Sequence, residues 1–319
     1  MQPWVIGADL GRTKIVLGLV SPTNEIVARG RIPTNLSEGP KSAVERIAIE
    51  ISALKGALPA DARIAAVGIC SPGPVDHEAG LIVDPPNMIG WHDVPFRQML
   101  SDRLNLPVVL EHDAKAAALG EFHFGAGRAE QHMVYIVAGT GVGAAIIIDG
   151  KLYRGMHNFA GEVGQVTIDK NDEAFGTNVR GCVQEYLCGP ALARRYEDLC
   201  RQTPEFVRQK QVTGEQVAQL AAAGDELALR VMNQAGEALG IAVGSMGLIL
   251  DIELFVIGGS VAKAGDLLLD PAREILQHYC LESIAGHTRI EPVALGDDSP
   301  ILGCAWLARQ AAEVQSVNP

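Results

Sequence analysis

The chain has 319 residues, 48% hydrophobic and 20% charged, with a formal net charge of −12. That is ordinary soluble globular composition, and a chain of this size buries about 75% of its unfolded surface and tends to split into two domains. The acidic balance disfavours a nucleic-acid surface, which needs clustered Lys and Arg. No apolar stretch reaches the roughly 18 residues of a membrane span. The opening Met1-Gln2-Pro3-Trp4 has neither the basic nor the apolar region of a signal peptide. Six dispersed cysteines without a CxxC read as buried thiols in a reducing cytoplasm.

The apolar run Trp4-Val5-Ile6 stops at Gly7-Ala8-Asp9-Leu10-Gly11-Arg12-Thr13-Lys14, and the β-branched run Ile15-Val16-Leu17 follows at once. Two such runs around a short Gly-containing turn predict a hairpin. The turn suits a phosphate: Gly11 lets backbone N–H groups approach an anion and Thr13 adds a donor. Asp9, at a strand end, suits Mg²⁺, which takes only one or two carboxylates. The plain alternative is a hairpin turn with solvated charges.

Glu25–Ile32 reads as a third strand and Pro33–Pro40 as a loop. Lys41–Lys55 has helical periodicity, with Ser42 and Glu45 as N-terminal capping partners. Ile64–Cys70 is a buried strand ending in Ser71-Pro72-Gly73-Pro74-Val75-Asp76, a strong turn signal. The loop Pro85-Pro86-Asn87-Met88-Ile89-Gly90-Trp91 precedes a helix (Pro95–Leu104) and a short strand (Val108–Leu110). That strand runs through Glu111-His112-Asp113 into an Ala-rich helix, Ala114–Phe124. Asp113 therefore sits at a strand's carboxyl end and a helix's N-terminus. There it either caps the helix or serves as a general base where open α/β sheets bind ligands.

Gly125–Gln131 reads as the crossing into a second lobe. Met133–Ile148 repeats the opening pattern: strand, Gly139-Thr140-Gly141-Val142-Gly143 turn, strand. Asp149-Gly150 is a hairpin turn signal. Two strand–Gly/Thr turn–strand units half a chain apart suggest similar lobes, each offering a phosphate loop to one ligand. Lys151–Ile168 contains Gly161-Glu162-Val163-Gly164-Gln165, and Asp169–Arg180 is a polar loop. A helix starts near Cys182 and runs through Leu199, with a break near Gly189-Pro190. Gly214–Ala223 and Glu226–Leu250 are helical by periodicity. Glu253–Ile257 is a strand ending in Gly258-Gly259-Ser260. A helix (Asp266–Tyr279), a strand (Arg289–Ala294) and a last helix (Pro300–Ala312) follow, the last returning to the first lobe.

In order and spacing these motifs resemble the ROK family of bacterial sugar kinases and sugar-responsive repressors, within the actin/hexokinase-like superfamily. The resemblance rests on Gly7-x-Asp9-x-Gly11-x-Thr13-Lys14, Pro72-Gly73-Pro74-Val75-Asp76, Pro86-Asn87-x-x-Gly90-Trp91 and Asp113-Ala114 with Ala116-Ala117-Ala118-Leu119-Gly120-Glu121. It continues through Ala138-Gly139-Thr140-Gly141-Val142-Gly143, Gly161-Glu162-x-Gly164, Gly181-Cys182 and Ile257-Gly258-Gly259. It covers nearly the whole chain. It implies an α/β, two-lobed actin-like (ribonuclease H-like) ATPase fold, each lobe a mixed sheet flanked by helices, with a ligand cleft between lobes. The small lobe would be residues 1–124 plus 300–319 and the large lobe 125–299.

The resemblance also implies roles. Asp113 matches the catalytic base that takes a proton from a sugar hydroxyl, usually the 6-OH. Asp9, Gly11, Arg12, Thr13 and Lys14 match the first phosphate loop, with Mg²⁺ near Asp9. Gly139, Thr140, Gly141 and Gly143 match the second loop, and Gly258 and Gly259 the adenosine segment. Gly73, Asn87, His112, Glu162, Gln165 and Gln184 fall at the sugar site. The implied activity is ATP-dependent, glucokinase-like phosphoryl transfer in the cytoplasm by a homodimer or homotetramer. An amino sugar, mannose, fructose, allose or a cyclitol is the alternative acceptor, and a non-catalytic sugar sensor the alternative function. The family's repressors carry an added N-terminal helix-turn-helix, for which the residues before Gly7 leave no room.

The chain departs from the family pattern at several positions. Arg12 stands where the first loop usually has Gly, and either reaches a phosphate or crowds one. His112 replaces a sugar-binding Asn, and either binds sugar, perturbs Asp113 or only packs. The family's zinc site has a His where this chain has Gln165, and of its cysteines only Cys182 remains. One thiolate does not make a tetrahedral site, so the expectation is no zinc, with loop Asp169–Arg180 held by packing through Phe175. Gln184 replaces a sugar-binding Glu. Changes at His112, Gln165 and Gln184 point to an altered sugar, since a hydrogen-bonding pocket discriminates strongly when a polar partner changes.

Overall fold

The first sheet begins as an antiparallel meander of β1 (Trp4–Leu10), β2 (Lys14–Val20) and β3 (Ile26–Pro33). The structure is a computed structural model that describes residues 2–86, 88–172, 177–203 and 211–317. By its contacts the chain forms two compact units, Met1–Arg128 with Leu295–Pro319, and Ala129–Ala294.

In the first unit, α1 (Gly39–Leu54) turns Val44, Ile47, Ile51 and Leu54 inward at helical spacing. Ser42 and Glu45 do not cap it: the Ser42 hydroxyl donates to Glu38 at 2.8 Å, and Glu45 pairs with Arg103 at 2.8 Å. Glu38, at the N-cap, makes no side-chain cap bond, because its carboxylate is taken by Asn35, Ser42 and Arg46. The chain then enters β4 (Ile64–Ser71), a ribbon of β5 (Val75–Asp76) and β6 (Leu81–Ile82), helix α2 (Phe96–Leu104), β7 (Val108–His112) and α3 (Asp113–Phe124). The sheet order is β3-β2-β1-β4-β7, with β1–β4 and β4–β7 parallel. Parallel pairing aligns the carboxyl ends of β1, β4 and β7.

The second unit repeats this plan. β8 (Met133–Ala138), β9 (Val142–Ile148) and β10 (Lys151–Tyr153) form an antiparallel meander. Asp149 and Gly150 turn β9 into β10 with φ of 51° and 70°, the left-handed pair that a two-residue hairpin demands. Helix α4 (Gln184–Leu187) is separated from α5 (Gly189–Gln202) by Cys188, extended at ψ 155°, and Pro190 sits in the first turn of α5, where its missing N–H costs no helical bond. Next come α6 (Gly214–Ala222), the long α7 (Glu226–Leu250), β11 (Leu254–Gly258), α8 (Asp266–Leu276), α9 (Glu282–Ala285) and β12 (Arg289–Pro292). The order is β10-β9-β8-β11-β12, with β8–β11–β12 parallel. Helix α7 starts at a genuine cap, Asp225, which accepts from the Ala228 N–H at 2.8 Å, and lines the core with Val231, Ala235, Leu239 and Ala242.

The final helix, α10 (Ser299–Val317), completes the first unit against β1, β4 and α3. Backbone meets backbone there: a Cβ on Gly303 would stand 1.8 Å from the Ala116 carbonyl oxygen. Fully buried Glu121 ties the end of α3 to the start of α10. Its carboxylate accepts from the Ala126 N–H (3.0 Å), the Leu295 N–H (2.9 Å) and the Ser299 hydroxyl (2.6 Å). Among the described residues no helix is long and apolar enough to cross a membrane.

Candidate active site

Strand register assembles the first half of the site. Asp9 on β1 pairs with Cys70 on β4, and Ser71 on β4 pairs with His112 on β7. Asp113 follows at once as the first residue of α3. Asp9 and Asp113 are close enough for charge to matter. The Asp9 carboxyl is pushed up to about 6 by burial first and by the negative Asp113 second. A thiol hydrogen bond from Cys70 at 3.6 Å and the charge of Lys14 act the other way.

Asp113 is not the cap of α3. That position belongs to His112, extended at ψ 139°, whose Nδ1 accepts from the Ala114 N–H at 3.3 Å. Asp113 Oδ1 also accepts from that N–H, at 2.6 Å, and lies 3.2 Å from His112 Nδ1. The Asp113 side chain is 43% exposed, and its Oδ2 has no partner among the described residues. The His112 ring packs over Gly73, where a Cβ would meet it at 2.4 Å.

The first loop is pinned from below. The Gly11 N–H donates to the Lys14 carbonyl (3.0 Å), the Thr34 hydroxyl to the Gly11 carbonyl (2.6 Å) and the Thr34 N–H to the Thr13 carbonyl (3.1 Å). Arg12, Thr13 and Lys14 are exposed on its tip, and the Arg12 and Thr13 side chains make no hydrogen bond or ion pair among the described residues. Asn87 lies outside the described residues.

In the second unit the residues 139–143 form a tight turn. The Gly139 N–H donates to the Gly141 carbonyl (2.9 Å), and the Gly189 N–H at the head of α5 donates to the Gly139 carbonyl (2.8 Å). The Val142 N–H donates to Gln184 Oε1 at 3.0 Å. Gly143 continues into the β8–β9 ladder opposite Val137. The N–H groups of Thr140 and Gly141 and the Thr140 hydroxyl have no partner among the described residues, which is the donor set an anion needs. Gly258 ends β11. Gly259, at φ 92°, lies so close to this turn that a Cβ would stand 2.2 Å from the Ala138 carbonyl oxygen. The two glycine segments therefore meet. Exposed Glu162 and half-buried Gln165 flank a single turn (Val163–Gln165) docked along β9 by the Ala144 N–H to Gly161 carbonyl bond of 2.6 Å. Gln184, expected at the sugar site, has its carbonyl oxygen on the glycine turn.

Sequence reasoning missed a polar clamp. The Tyr186 hydroxyl donates to Asp172 at 2.7 Å, and the Arg195 guanidinium donates to the same carboxylate at 2.6 Å while stacking 3.6 Å over the Tyr186 ring. Burial and the Asp172 bond push the Tyr186 hydroxyl up to about 12. This clamp ties Asp172 to α4 and α5. Phe175, the expected anchor, lies outside the described residues. Cys182 is buried, with the Thr177 hydroxyl 3.5 Å away. Among the described residues no group of three or more His, Cys, Asp or Glu is placed to hold a metal.

Comparison with known proteins follows the same lines. The ROK family profile matches residues 5–311. A glucokinase of Halalkalibacterium halodurans is 31% identical over 315 residues, covering 96% of this chain and 95% of that protein. A putative xylose repressor of a Caldicellulosiruptor species is equally similar, 31% identical, over 94% of this chain and 76% of that protein. The crystal structure of a ROK family glucokinase from Streptomyces griseus, in complex with glucose and AMPPNP, superposes with a TM-score of 0.81 at 30% identity. That alignment covers 96% of this chain and 99% of that one. These likenesses establish the two-lobed, actin-like α/β fold.

Proposed function

Because this chain belongs to the ROK family, we propose that it is an ATP-dependent sugar kinase that moves the γ-phosphoryl group to a hexose hydroxyl, in a glucokinase-like reaction at the 6-OH. The observation that carries the reading is the carboxylate pair at the carboxyl ends of β1 and β7. Asp113 is half-exposed with one oxygen free, and Asp9 is close enough to feel its charge.

Phosphoryl transfer asks the protein for positioning and charge neutralisation more than covalent chemistry. Asp113 accepts the proton of the attacking hydroxyl, a role one well-placed carboxylate fills. Its Oδ1 is oriented by the Ala114 N–H, which leaves Oδ2 for the substrate. The exposed loop Gly11–Lys14 and the free N–H groups of Thr140 and Gly141 bind phosphate oxygens, and Gly258-Gly259 borders the adenosine. Gly73, Asn87, His112, Glu162 and Gln165 contact the sugar. A divalent cation suits Asp9, a carboxylate beside a second carboxylate with one weak thiol donor, and so short of compensating charge. Mg²⁺ bound there with ATP would neutralise phosphate charge.

A second reading, a sugar sensor without turnover, is favoured by the repressor relative being as similar as the glucokinase. ADP release from Mg-ATP across hexoses, amino sugars and cyclitols separates the two, with Asp113→Asn as control. A kinase gives a sugar-dependent signal that falls by about 10²–10⁴ in the variant while sugar binding persists. Silence across the panel with sugar still bound, or an Asp113→Asn protein as active as the parent, overturns the kinase reading.

A further inference from the structure

We infer that Gln184 is a positioning residue of the nucleotide phosphate loop, acting through Val142. The inference rests on the ATP-kinase reading above and adds to it how the second loop is held.

On β9 the N–H groups of Val142 and Ala144 face away from β8: that of Ala144 donates to the Gly161 carbonyl at 2.6 Å, and that of Val142, with no backbone partner beside it, donates to a side chain, Gln184 Oε1, at 3.0 Å. The same oxygen stands 3.1 Å from where a Cβ on Gly141 would lie, so Gln184 fits against the turn itself. Just past α4, at the head of α5, Gly189 gives its N–H to the Gly139 carbonyl at 2.8 Å. The α4–α5 corner thus grips the turn at both ends, Gly139 and Val142. Within the turn the Gly139 N–H is already used by the Gly141 carbonyl. With the Val142 N–H held by Gln184, the donors left over are those of Thr140 and Gly141. Gln184 therefore selects which N–H groups face an anion and fixes their direction.

The amide suits this task better than a carboxylate would. Both offer an acceptor to Val142, but a carboxylate adds a negative charge against a loop built to receive phosphate, where like charges repel strongly at short range. Because Oε1 accepts, the Nε2 group points the other way as a donor, and it has no partner among the described residues.

The test measures Mg–AMPPNP and sugar binding separately by calorimetry on the full chain, alongside KM for ATP and for the sugar. Gln184→Met removes the acceptor at nearly constant volume, and Gln184→Glu keeps it and adds charge. Both are expected to weaken Mg–AMPPNP by about tenfold or more and raise the KM for ATP, with the KM for sugar changed less than about twofold. Unchanged nucleotide affinity in Gln184→Met overturns the inference, as does a loss confined to the sugar. Gln184→Glu retains the Val142 bond and sets its charge against the loop, so if Gln184→Met does not fold, unchanged nucleotide affinity in Gln184→Glu overturns it. A parent protein that binds sugar but no Mg–AMPPNP overturns the kinase reading itself, and this inference with it.

Discussion

Replacing Asp9 by Asn should make the free protein more stable at neutral pH while abolishing its proposed activity. The two side chains are nearly isosteric, and the amide still offers an acceptor to the Cys70 thiol. What changes is charge. Burial and Asp113 raise the Asp9 carboxyl from an ordinary 3.8 to about 6, so the folded state prefers the protonated acid. Between those values the native chain holds a proton that the unfolded chain has lost, and stability falls as pH rises through that window. At about 1.4 kcal/mol per pH unit the ionised group costs up to about 3 kcal/mol by pH 7. Asp9 is only partly buried, so solvent screening leaves about 1–2 kcal/mol as the expected gain. Urea unfolding of Mg-free, nucleotide-free protein at pH 5.0 and 7.5 measures it. The Asp9→Asn protein should unfold at higher urea at pH 7.5, and the gap should shrink at pH 5.0. Asp113→Asn should recover part of the same gain by removing the neighbouring charge. Mg²⁺ should raise the parent's midpoint and leave the Asp9→Asn midpoint unmoved. An Asp9→Asn midpoint equal to or below the parent's at pH 7.5 would refute the reasoning.

Three further outcomes test the packing. Gly303→Ala drives a methyl into the Ala116 carbonyl and should cost more than about 3 kcal/mol, whereas Gly56→Ala, which meets nothing within 4 Å, should leave the urea midpoint within experimental scatter. His123 stacks on Trp306 with centroids 4.2 Å apart, its Nε2 buried without a partner among the described residues, and burial holds its pKa below the ordinary 6.5. The unfolded chain therefore takes up that proton first. Stability should drop as pH falls below about 6.5, and His123→Phe should reduce that acid loss; an identical loss in both proteins would count against it. Tyr186→Phe removes the 2.7 Å bond to Asp172, worth about 1.5–3 kcal/mol for a charged acceptor. Limited proteolysis should then cut sooner near Asp172, and an unchanged rate would show that Arg195 alone suffices.

What could be read from the sequence was what repeats at short range. Both meanders, the glycine turns, the α4–α5 break at Pro190 and the placement of Asp113 after a strand all follow from periodicity or from local turn chemistry. The capping of α1 was misread because Ser42 and Glu45 have the right spacing but better partners nearby, Glu38 and Arg103. His112 and Asp113 were legible as a pair, but not which one caps α3. That choice depends on ψ at residue 112, which the strand β7 sets by running two residues further than its apolar stretch. The Asp172–Tyr186–Arg195 clamp joins residues 14 and 23 apart through no periodic pattern, so no local signal announced it. The same holds for Gln184 and Val142, 42 residues apart.

These long-range contacts share a physical logic. A glycine turn that binds phosphate must keep some N–H groups unsatisfied, and unsatisfied donors leave a loop free to collapse onto its own carbonyls. The first loop resists this through Thr34, which occupies the carbonyls of Gly11 and Thr13. The second resists it through Gly189 and Gln184, which occupy the Gly139 carbonyl and the Val142 N–H. In each unit the groups that contact the turn from outside are thus as necessary as the glycines within it, because they decide which donors remain. Preorganisation of this kind lowers the ordering cost that a flexible loop would incur on binding. It follows that Thr34→Val, at a side chain assigned no ligand contact, should weaken nucleotide binding as Gln184→Met does, whereas a sensor that never binds a triphosphate would show no such dependence.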